Sequence, residues 1–294
     1  MPAPSDLLQF VISGATLGST YGLAGLGFTV IFNTTEIINF AQGEFVMLGG
    51  MLAVFAIRWG GLPPALAVPL AIGLTTLVGV VANRLTIRPV RGRSVIVLII
   101  ITIGVSIVLR GAAMLLFGKD TYALPGFSGD EPIAFLGASL LPQNLWVGGM
   151  TLGTLVAMKL YFDRTISGKA MLACACDRKA ASLMGINVDA MVTLSFALSA
   201  LVGALGGAIL APITLTSYDV GILLGLKGFA ACILGGLGNP FGAVAGGVIL
   251  GVLESLSAGL ISSGYKDAVA FVILLALLFV RPSGLFGRRA TDRV

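Results

Sequence analysis

Apolar stretches long enough to cross a bilayer recur from one end of this chain to the other. A membrane-spanning helix needs about 20 predominantly apolar residues, and residues 7–32 form such a stretch without a single charged side chain. Over the whole chain 57% of residues are hydrophobic and 11% are charged, whereas soluble domains carry roughly 25% charged residues. Unbroken runs such as LIIITIGVSIVL are unlike the alternating strands of a membrane β-barrel. We therefore predict an all-α polytopic membrane protein.

We predict about eight membrane crossings in one transmembrane domain that covers residues 1–294. The apolar segments behind this prediction are 7–32, 37–57, 62–82, 94–117, 145–162, 190–215, 220–256 and 265–280. Two regions, near 33–45 and near 234–243, should be broken or re-entrant. There the sequences FNTTEIINFAQGE and GGLGNPFG bring polar and turn-forming residues into apolar surroundings.

Residues that carry catalytic chemistry are sparse, which restricts the function. The chain contains no histidine, so histidine triads, histidine metal sites and histidine proton relays are excluded. Cys174, Cys176 and Cys232 lack zinc-binding or redox spacing, and the chain has no G-x-x-x-x-G-K-S/T phosphate-binding loop. We predict a non-catalytic protein that itself binds no cofactor, metal or nucleic acid.

Lysine and arginine concentrate in three segments outside the apolar runs, namely 83–94, 163–189 and the tail after residue 280. Cytoplasmic loops of membrane proteins are enriched in these residues, so we expect all three segments to face the cytoplasm. Segment 118–144, with its acidic residues, should face outward. The N-terminus would then lie outside and the C-terminus in the cytoplasm.

Two further patterns concern packing within the membrane. Gly14, Gly18 and Gly22 recur every four residues, a spacing that lets helix backbones approach closely. Arg110 lies near the outer end of the fourth apolar run, where its long side chain is expected to extend to the membrane surface.

The stretch EIINFAQGEF places polar residues where a membrane helix would favour leucine. Unpaired carboxylates and amides are costly in hydrocarbon, so these side chains should face the bundle interior, a water-filled path or the interface. One interpretation is that Glu36 is interfacial and the amides hydrogen-bond between helices. The other is that they line or gate a polar path. The candidate path residues are Asn39, Gln42, Gly43 and Glu44, together with Gly236, Gly238 and Asn239 at the second break.

Glu254 and Lys227 raise the same question in the later broken region, where a packing or capping role for Glu254 is equally open. The loop 163–189 is the other informative segment. Its sequence GKAMLACACDRKAASLMGIN is predicted to form a short helix within 170–187 that ends near Gly185, a residue type common at the position after a helix. This loop is either an ordinary connector or a docking helix for a soluble partner.

Four sequences in order give a more specific indication. INFAQGEF, DRKAASLMGIN, ILGGLGNPFG and RPSGLFG, with their flanking residues, resemble the membrane permeases of branched-chain amino acid ABC importers, in particular the LivH-like branch. The resemblance runs from about Gly14 to Gly287 and so covers nearly the whole chain.

The resemblance implies partners and a place in the cell. It implies a second, LivM-like permease subunit, two cytoplasmic ABC ATPases that bind ATP and magnesium, and a periplasmic or extracellular substrate-binding protein, all at a bacterial cytoplasmic (inner) membrane. It also implies that DRKAASLMGIN is the coupling helix. The residues that would contact the ATPase are Arg178, Ala180, Ala181, Gly185, Ile186 and Asn187.

The sequence departs from the resembled family at two positions. Gln42 stands where histidine is common, which removes a titratable group, and Asn33 stands where glycine is expected. The alternative function is a stand-alone ion-coupled secondary transporter or channel that uses Glu44 and Glu254; a structural scaffold is a third. The sequence does not fix the substrate, which could be a branched-chain amino acid, urea, an amide, an aromatic acid or another small carboxylate. It also does not fix whether the permease forms a homodimer or a heterodimer.

Overall fold

Helices account for almost all of the structure, a computed structural model that describes residues 4–90, 93–129, 131–135 and 137–287. The α-helices are α1 (Pro4–Thr35), α2 (Gln42–Arg58), α3 (Pro64–Ala82), α4 (Val95–Phe117), α5 (Pro142–Arg164), α6 (Ile166–Cys176), α7 (Arg178–Leu183), α8 (Val188–Leu210), α9 (Val220–Gly235), α10 (Pro240–Leu260) and α11 (Lys266–Val280). A π-helical turn (Asn83–Ile87) and a 3-10 turn (Arg88–Val90) continue α3, and a second 3-10 turn (Ser263–Tyr265) precedes α11. Strands β1 (Ile133–Phe135) and β2 (Ala138–Leu140) form an antiparallel hairpin.

Seven helical segments in the described part of the chain are long and apolar enough to cross a membrane. They are Pro4–Thr35, Pro64–Val90, Val95–Phe117, Pro142–Arg164, Val188–Leu210, Pro240–Leu260 and Ser263–Val280. The prediction of an all-α polytopic membrane protein is confirmed. Helices α2 and α9 have 17 and 16 residues, which gives each a length of about 25 Å, short of the roughly 30 Å of a bilayer core.

The two predicted breaks are confirmed. The first lies between α1 and α2, because residues 36–41 are not helical and α2 begins only at Gln42. The second separates α9 from α10: Gly236 and Gly238 adopt positive φ angles of 103° and 88°, which glycine tolerates without strain. Asn239 then caps α10, its side-chain oxygen accepting a hydrogen bond from the Gly242 amide at 3.0 Å.

Helix α1 lies at the centre of the bundle, whereas α4 and α11 lie at its edge. In the most apolar window of each span, 83% of α1 is buried but only 11% of α4 and 6% of 263–280. The glycine spacing explains how α1 packs. A Cβ atom on Gly14 would lie 2.6 Å from the Val252 Cα, and one on Gly18 would lie 2.5 Å from the Gly247 carbonyl oxygen. The predicted close packing is thus confirmed for the contact between α1 and α10.

The two ends of the bundle differ in charge. At one end Arg178 donates a hydrogen bond to the carbonyl of Thr35, the last residue of α1, and residues 281–287 fold against the end of α9. We call this the basic end, because it carries Arg84, Arg88, Arg93, Arg164, Lys169, Arg178, Lys179 and Arg281. At the opposite end Tyr122 forms a bridge with Thr216, and Gln9 near the N-terminus accepts a hydrogen bond from the Ser139 amide.

Candidate functional site

The N-termini of the two short helices meet inside the bundle. A Cβ atom on Gly43 of α2 would lie 2.0 Å from the carbonyl oxygen of Gly221 in α9, so this contact requires glycine. From this point α2 runs to the opposite end, where the Arg58 guanidinium stacks over the Tyr122 ring. Helix α9 runs to the basic end. The two short helices therefore point away from each other, with their positive dipole ends at one place in the interior, which we call the α2–α9 junction.

Glu44 lies at this junction in the first turn of α2 and is only 1% exposed. Its Oε1 accepts a hydrogen bond from Ser106 Oγ of α4 at 2.8 Å. Its Oε2 lies beside Gly221 and has no hydrogen-bond partner among the described residues. The helix N-termini favour a negative charge here, but a buried oxygen without a partner is costly. Glu44 is thus a buried carboxylate with one unused acceptor.

Gln42 takes part in a hydrogen-bonded contact between three helices. Its Nε2 donates to the carbonyl of Ser199 in α8 at 3.1 Å. The Ser199 hydroxyl lies 2.9 Å from the Gly27 carbonyl of α1 and also within hydrogen-bond reach of Gln42 Oε1. With 0% of its surface exposed, Gln42 fits the interpretation that an amide joins helices rather than lines a path.

Two other polar residues of the same stretch lie outside the junction proper. Glu36 is exposed at the basic end, as the interfacial interpretation expects, and it has a left-handed φ of 57°, a conformation that a non-glycine residue adopts at some cost. Asn39 is 1% exposed. Its Oδ1 accepts a hydrogen bond from the Ala41 amide at 3.1 Å, while its Nδ2 has no partner in the described part of the chain.

The candidate path residues of the second break do not join this group. Gly236, Gly238 and Asn239 lie at the basic end, where Asn239 donates to the Phe286 carbonyl at 3.1 Å. Asn33 donates to the Gly238 carbonyl at 2.8 Å and so links the two breaks. The length of α9 separates them from Gly43 by about 20 Å. The candidate path residues of the two breaks therefore lie in two separate groups, because the intact helix α9 connects the second break to the junction.

The loop predicted to hold one helix contains two, α6 and α7. Asp177 separates them, since its extended backbone cannot continue α6 and its carboxylate accepts hydrogen bonds from the Lys179 and Ala180 amides at 2.8 and 3.1 Å. The predicted end of the helix is confirmed, because Gly185 follows α7 with a φ of 83°.

Several of the predicted contact residues of this loop are engaged within the chain itself. Ala181 is only 4% exposed and faces the bundle, Arg178 binds Thr35, and Asn187 caps α8 by accepting a hydrogen bond from the Ala190 amide at 3.0 Å. Ile186 is partly buried, and Ala180 and Gly185 are exposed.

The large apolar side chains exposed at the end of α7 belong to residues that the sequence analysis did not single out. Leu183 is 88% exposed and Met184 is 83% exposed. The sequence feature that could have indicated their exposure is their position directly before Gly185, the glycine that follows the helix. Ala181 is therefore not part of the exposed surface of this loop, whereas Leu183 and Met184 are.

A second, partly buried charge cluster lies away from the junction. Lys227 Nζ is 2.8 Å from Glu254 Oε1 and 2.7 Å from Asp267 Oδ1, and it also donates to the Tyr21 hydroxyl at 3.3 Å. Lys266 lies 3.8 Å from the same Glu254 oxygen. Asp267 was missed because its position at the start of an apolar run resembles an interfacial charge. Glu254 is thereby neutralised by a cation on a neighbouring helix.

A membrane bundle whose interior contains two short helices with facing N-termini and a buried carboxylate has the architecture of a membrane transport protein. Comparison with known proteins agrees. The family described as "Branched-chain amino acid transport system / permease component" matches residues 10–278, and the chain belongs to this family.

The relatives point to the LivH-like branch. The chain is 35% identical to the high-affinity branched-chain amino acid transport system permease protein LivH of Escherichia coli K12, over 98% of this chain and 97% of that protein. It is 32% identical to the permease protein BraD of Pseudomonas aeruginosa PAO1, over the full length of both. It is 27% identical to a probable LivH of Methanocaldococcus jannaschii, over 95% of this chain and 92% of that protein. This chain is a LivH-like permease.

Proposed function

We propose that this chain is a membrane-spanning subunit of an ABC importer and forms part of the translocation path for branched-chain amino acids. The observation that carries the proposal is the 35% identity to LivH over almost the whole of both chains. Its partners would be a second, LivM-like permease subunit, two cytoplasmic ATPases and a substrate-binding protein outside. ATP and magnesium would bind to the ATPases and not to this chain.

The charge distribution supports an orientation for this subunit. Because lysine and arginine concentrate on the cytoplasmic side of membrane proteins, the basic end would face the cytoplasm of a bacterial inner membrane. Residues 281–287 would then lie on the cytoplasmic side, and the start of α1, which is at the opposite end, would lie outside. The loop with α6 and α7 would be accessible to cytoplasmic ATPases.

Helix α7 is the part of this loop best suited to docking. Leu183 and Met184 present two large apolar side chains to solvent, and burial of such side chains in a groove contributes about 1.5–3 kcal/mol each. Arg178, on the inner side of the same helix, binds the carbonyl end of α1. Movement of the ATPases would thus reach α1, and through residues 36–41 it would reach the start of α2.

In this mechanism the α2–α9 junction is the constriction of the path. It is closed in this conformation, since Glu44 is 1% exposed. Opening and closing of the junction would expose the path first to the outside and then to the cytoplasm. ATP hydrolysis by the partner ATPases would drive this exchange.

A second candidate function is an ion-coupled transporter, which the free oxygen of Glu44 favours. Glu254, the other carboxylate of that hypothesis, is ion-paired with Lys227 and so is less suited to bind a coupling ion.

The test is to reconstitute the chain with a LivM-like permease, two ATPases and a binding protein from the same organism, and to measure leucine uptake. We expect uptake that requires ATP. Replacing Leu183 and Met184 by serine should abolish it while membrane insertion persists. Ile166→Ser, at an equally exposed apolar residue of the same loop (89%), is the matched control. Gradient-driven leucine flux through the purified chain alone would refute the proposal.

A further inference from the structure

A polar stripe runs along the inner face of α4, whose remaining residues are almost all apolar. Thr102, Ser106 and Arg110 follow one another at four-residue intervals, so they share one face of the helix. Thr102 Oγ1 accepts a hydrogen bond from the Phe40 amide at 3.1 Å, and Ser106 donates to Glu44. Arg110, partly buried, is the next member. The stripe therefore lies alongside residues 40–44, which include the first turn of α2.

Arg110 of this stripe and Glu44, which faces the stripe from α2, carry opposite charges. The Arg110 guanidinium is near enough to Glu44 for electrostatic interaction, yet among the described residues Arg110 forms no ion pair. Because Arg110 lies one turn beyond Ser106, about 6 Å along α4, it is displaced from Glu44 toward the opposite end. Asp219, exposed at the start of α9, is a third charge acting on Glu44; its Oδ1 accepts a hydrogen bond from Ser217 at 2.5 Å.

We infer that Glu44 and Arg110 form a subsite for the zwitterionic head group of a free α-amino acid, whose ammonium group binds Glu44 and whose carboxylate binds Arg110. The unused Oε2 of Glu44 is an acceptor, as an ammonium group requires. The planar guanidinium of arginine matches a carboxylate through two parallel hydrogen bonds. This inference rests on the proposed function and adds to it the groups that would recognise the cargo within the membrane.

The surroundings of the charged pair suit an aliphatic side chain. Leu109 of α4, Met47 and Met51 of α2, and Tyr218 and Val220 before and at the start of α9 belong to one apolar cluster. Methionine side chains adapt to differently shaped aliphatic groups. A bound amino acid could therefore place its head group between Glu44 and Arg110 and its side chain against this cluster.

Movement of helix α4, which lies at the edge of the bundle, would open the subsite. In the closed conformation Glu44 is inaccessible, but α4 buries only Leu98, Thr102 and Ala113. Separation of α4 from α2 would break the hydrogen bonds of Thr102 and Ser106, together with the packing of Leu109, Ala113 and Phe117 against α2. It would expose the free oxygen of Glu44 and the guanidinium of Arg110 together.

Direct binding to the permease isolates this subsite from the specificity of the external binding protein. The importer complex is purified without that protein, nucleotide-free and also trapped with ADP and vanadate. Ligand-observed saturation-transfer NMR then compares leucine, leucinamide (which lacks the carboxylate) and 4-methylpentanoate (which lacks the ammonium group). In the wild-type complex we expect leucine to bind roughly tenfold or more tightly than either analogue in at least one state.

The variants separate the two charges. Glu44→Gln should remove the preference for leucine over 4-methylpentanoate, and Arg110→Gln should remove the preference for leucine over leucinamide. Arg110→Lys should keep the second preference in part. Arg58→Gln, which removes an exposed arginine at the same end of the bundle, should change neither ratio.

Three results would overturn the inference. They are unchanged binding ratios in both variants, equal weakening of all three ligands, and the absence of leucine binding in either state while the complete importer takes up leucine with ATP. Failure of that ATP-driven uptake would instead overturn the proposed function, and the inference with it.

Discussion

Glu44 and Glu254 are both buried glutamates in apolar helices, yet the structure gives them different surroundings. Glu254 accepts the ammonium group of Lys227 at 2.8 Å, and Lys227 also binds Asp267. Glu44 has one hydroxyl partner, Ser106 at 2.8 Å, and an oxygen without any partner in the described residues. Each glutamate keeps one oxygen without a hydrogen-bond partner in the described residues, so the counter-ion distinguishes them: Glu254 has one, and Glu44 forms no ion pair there. A neutralised carboxylate holds helices together, whereas one without a counter-ion beside two helix N-termini is available to a ligand.

The largest effect should come from removing the cation of the paired site. Lys227→Ala leaves buried Glu254 with only the solvent-screened Lys266 at 3.8 Å, so we expect it to lower the free energy of unfolding by about 3–5 kcal/mol. Denaturation of the detergent-solubilised protein, with membrane yield as a second readout, measures this change. A loss below about 1 kcal/mol would show that the two glutamates do not differ as described.

The next effect should come from the tightness of the junction. Gly43→Ala places a Cβ atom 2.0 Å from the Gly221 carbonyl oxygen, and such overpacking costs about 1–3 kcal/mol. Gly104→Ala in α4 is the matched control, because nothing lies within 4 Å of its added Cβ. Equal stabilities of these two variants would mean that α2 and α9 do not meet as closely as described.

Glu44→Gln should separate stability from transport. Glutamine can still accept the Ser106 hydrogen bond, so only the favourable interaction of a carboxylate with the helix N-termini is lost, less than about 1 kcal/mol. ATP-driven leucine uptake should fall by roughly tenfold or more. If unfolding instead becomes as easy as in Lys227→Ala, Glu44 has a packing role and the comparison fails.

The smallest effect is expected at Lys266. Its Nζ lies 3.8 Å from Glu254 Oε1, and its side chain is 46% exposed. Because solvent screens such a pair, Lys266→Ala should change the free energy of unfolding by about 0–1 kcal/mol. The same denaturation assay measures this change. If it is comparable to that of Lys227→Ala, Lys266 and not Lys227 alone neutralises Glu254.

The sequence predicted well those features that the bilayer imposes locally. The confirmed breaks at 33–45 and 234–243 come from polar and turn-forming residues, such as Gly236 and Asn239, within apolar runs. The Gly14 and Gly18 spacing foretold the close contact of α1 with α10. Within the EIINFAQGEF stretch, Gln42 hydrogen-bonds between helices whereas Glu44 keeps a free oxygen, and a role of Glu44 in a path stays a prediction.

The misplaced features depend on helix rotation and on contacts distant in sequence. Ala181 was expected to face a partner but is buried in the chain, while Leu183 and Met184 are exposed. This difference arises because Asp177 begins a new helix and thereby sets which face of α7 points outward. A run of small residues does not indicate that rotation.

The sequence by itself determined that this chain is a bundle of membrane helices with two interruptions, because hydrocarbon accepts a polar backbone only when it is hydrogen-bonded within helices. Only the tertiary structure decided which buried glutamate is neutralised. Lys227 is 27 positions from Glu254, and Ser106 is 62 positions from Glu44. Which side chains become partners depends on how deep in the membrane each helix lies and how it is rotated about its axis. The hydropathy of the sequence specifies neither of these.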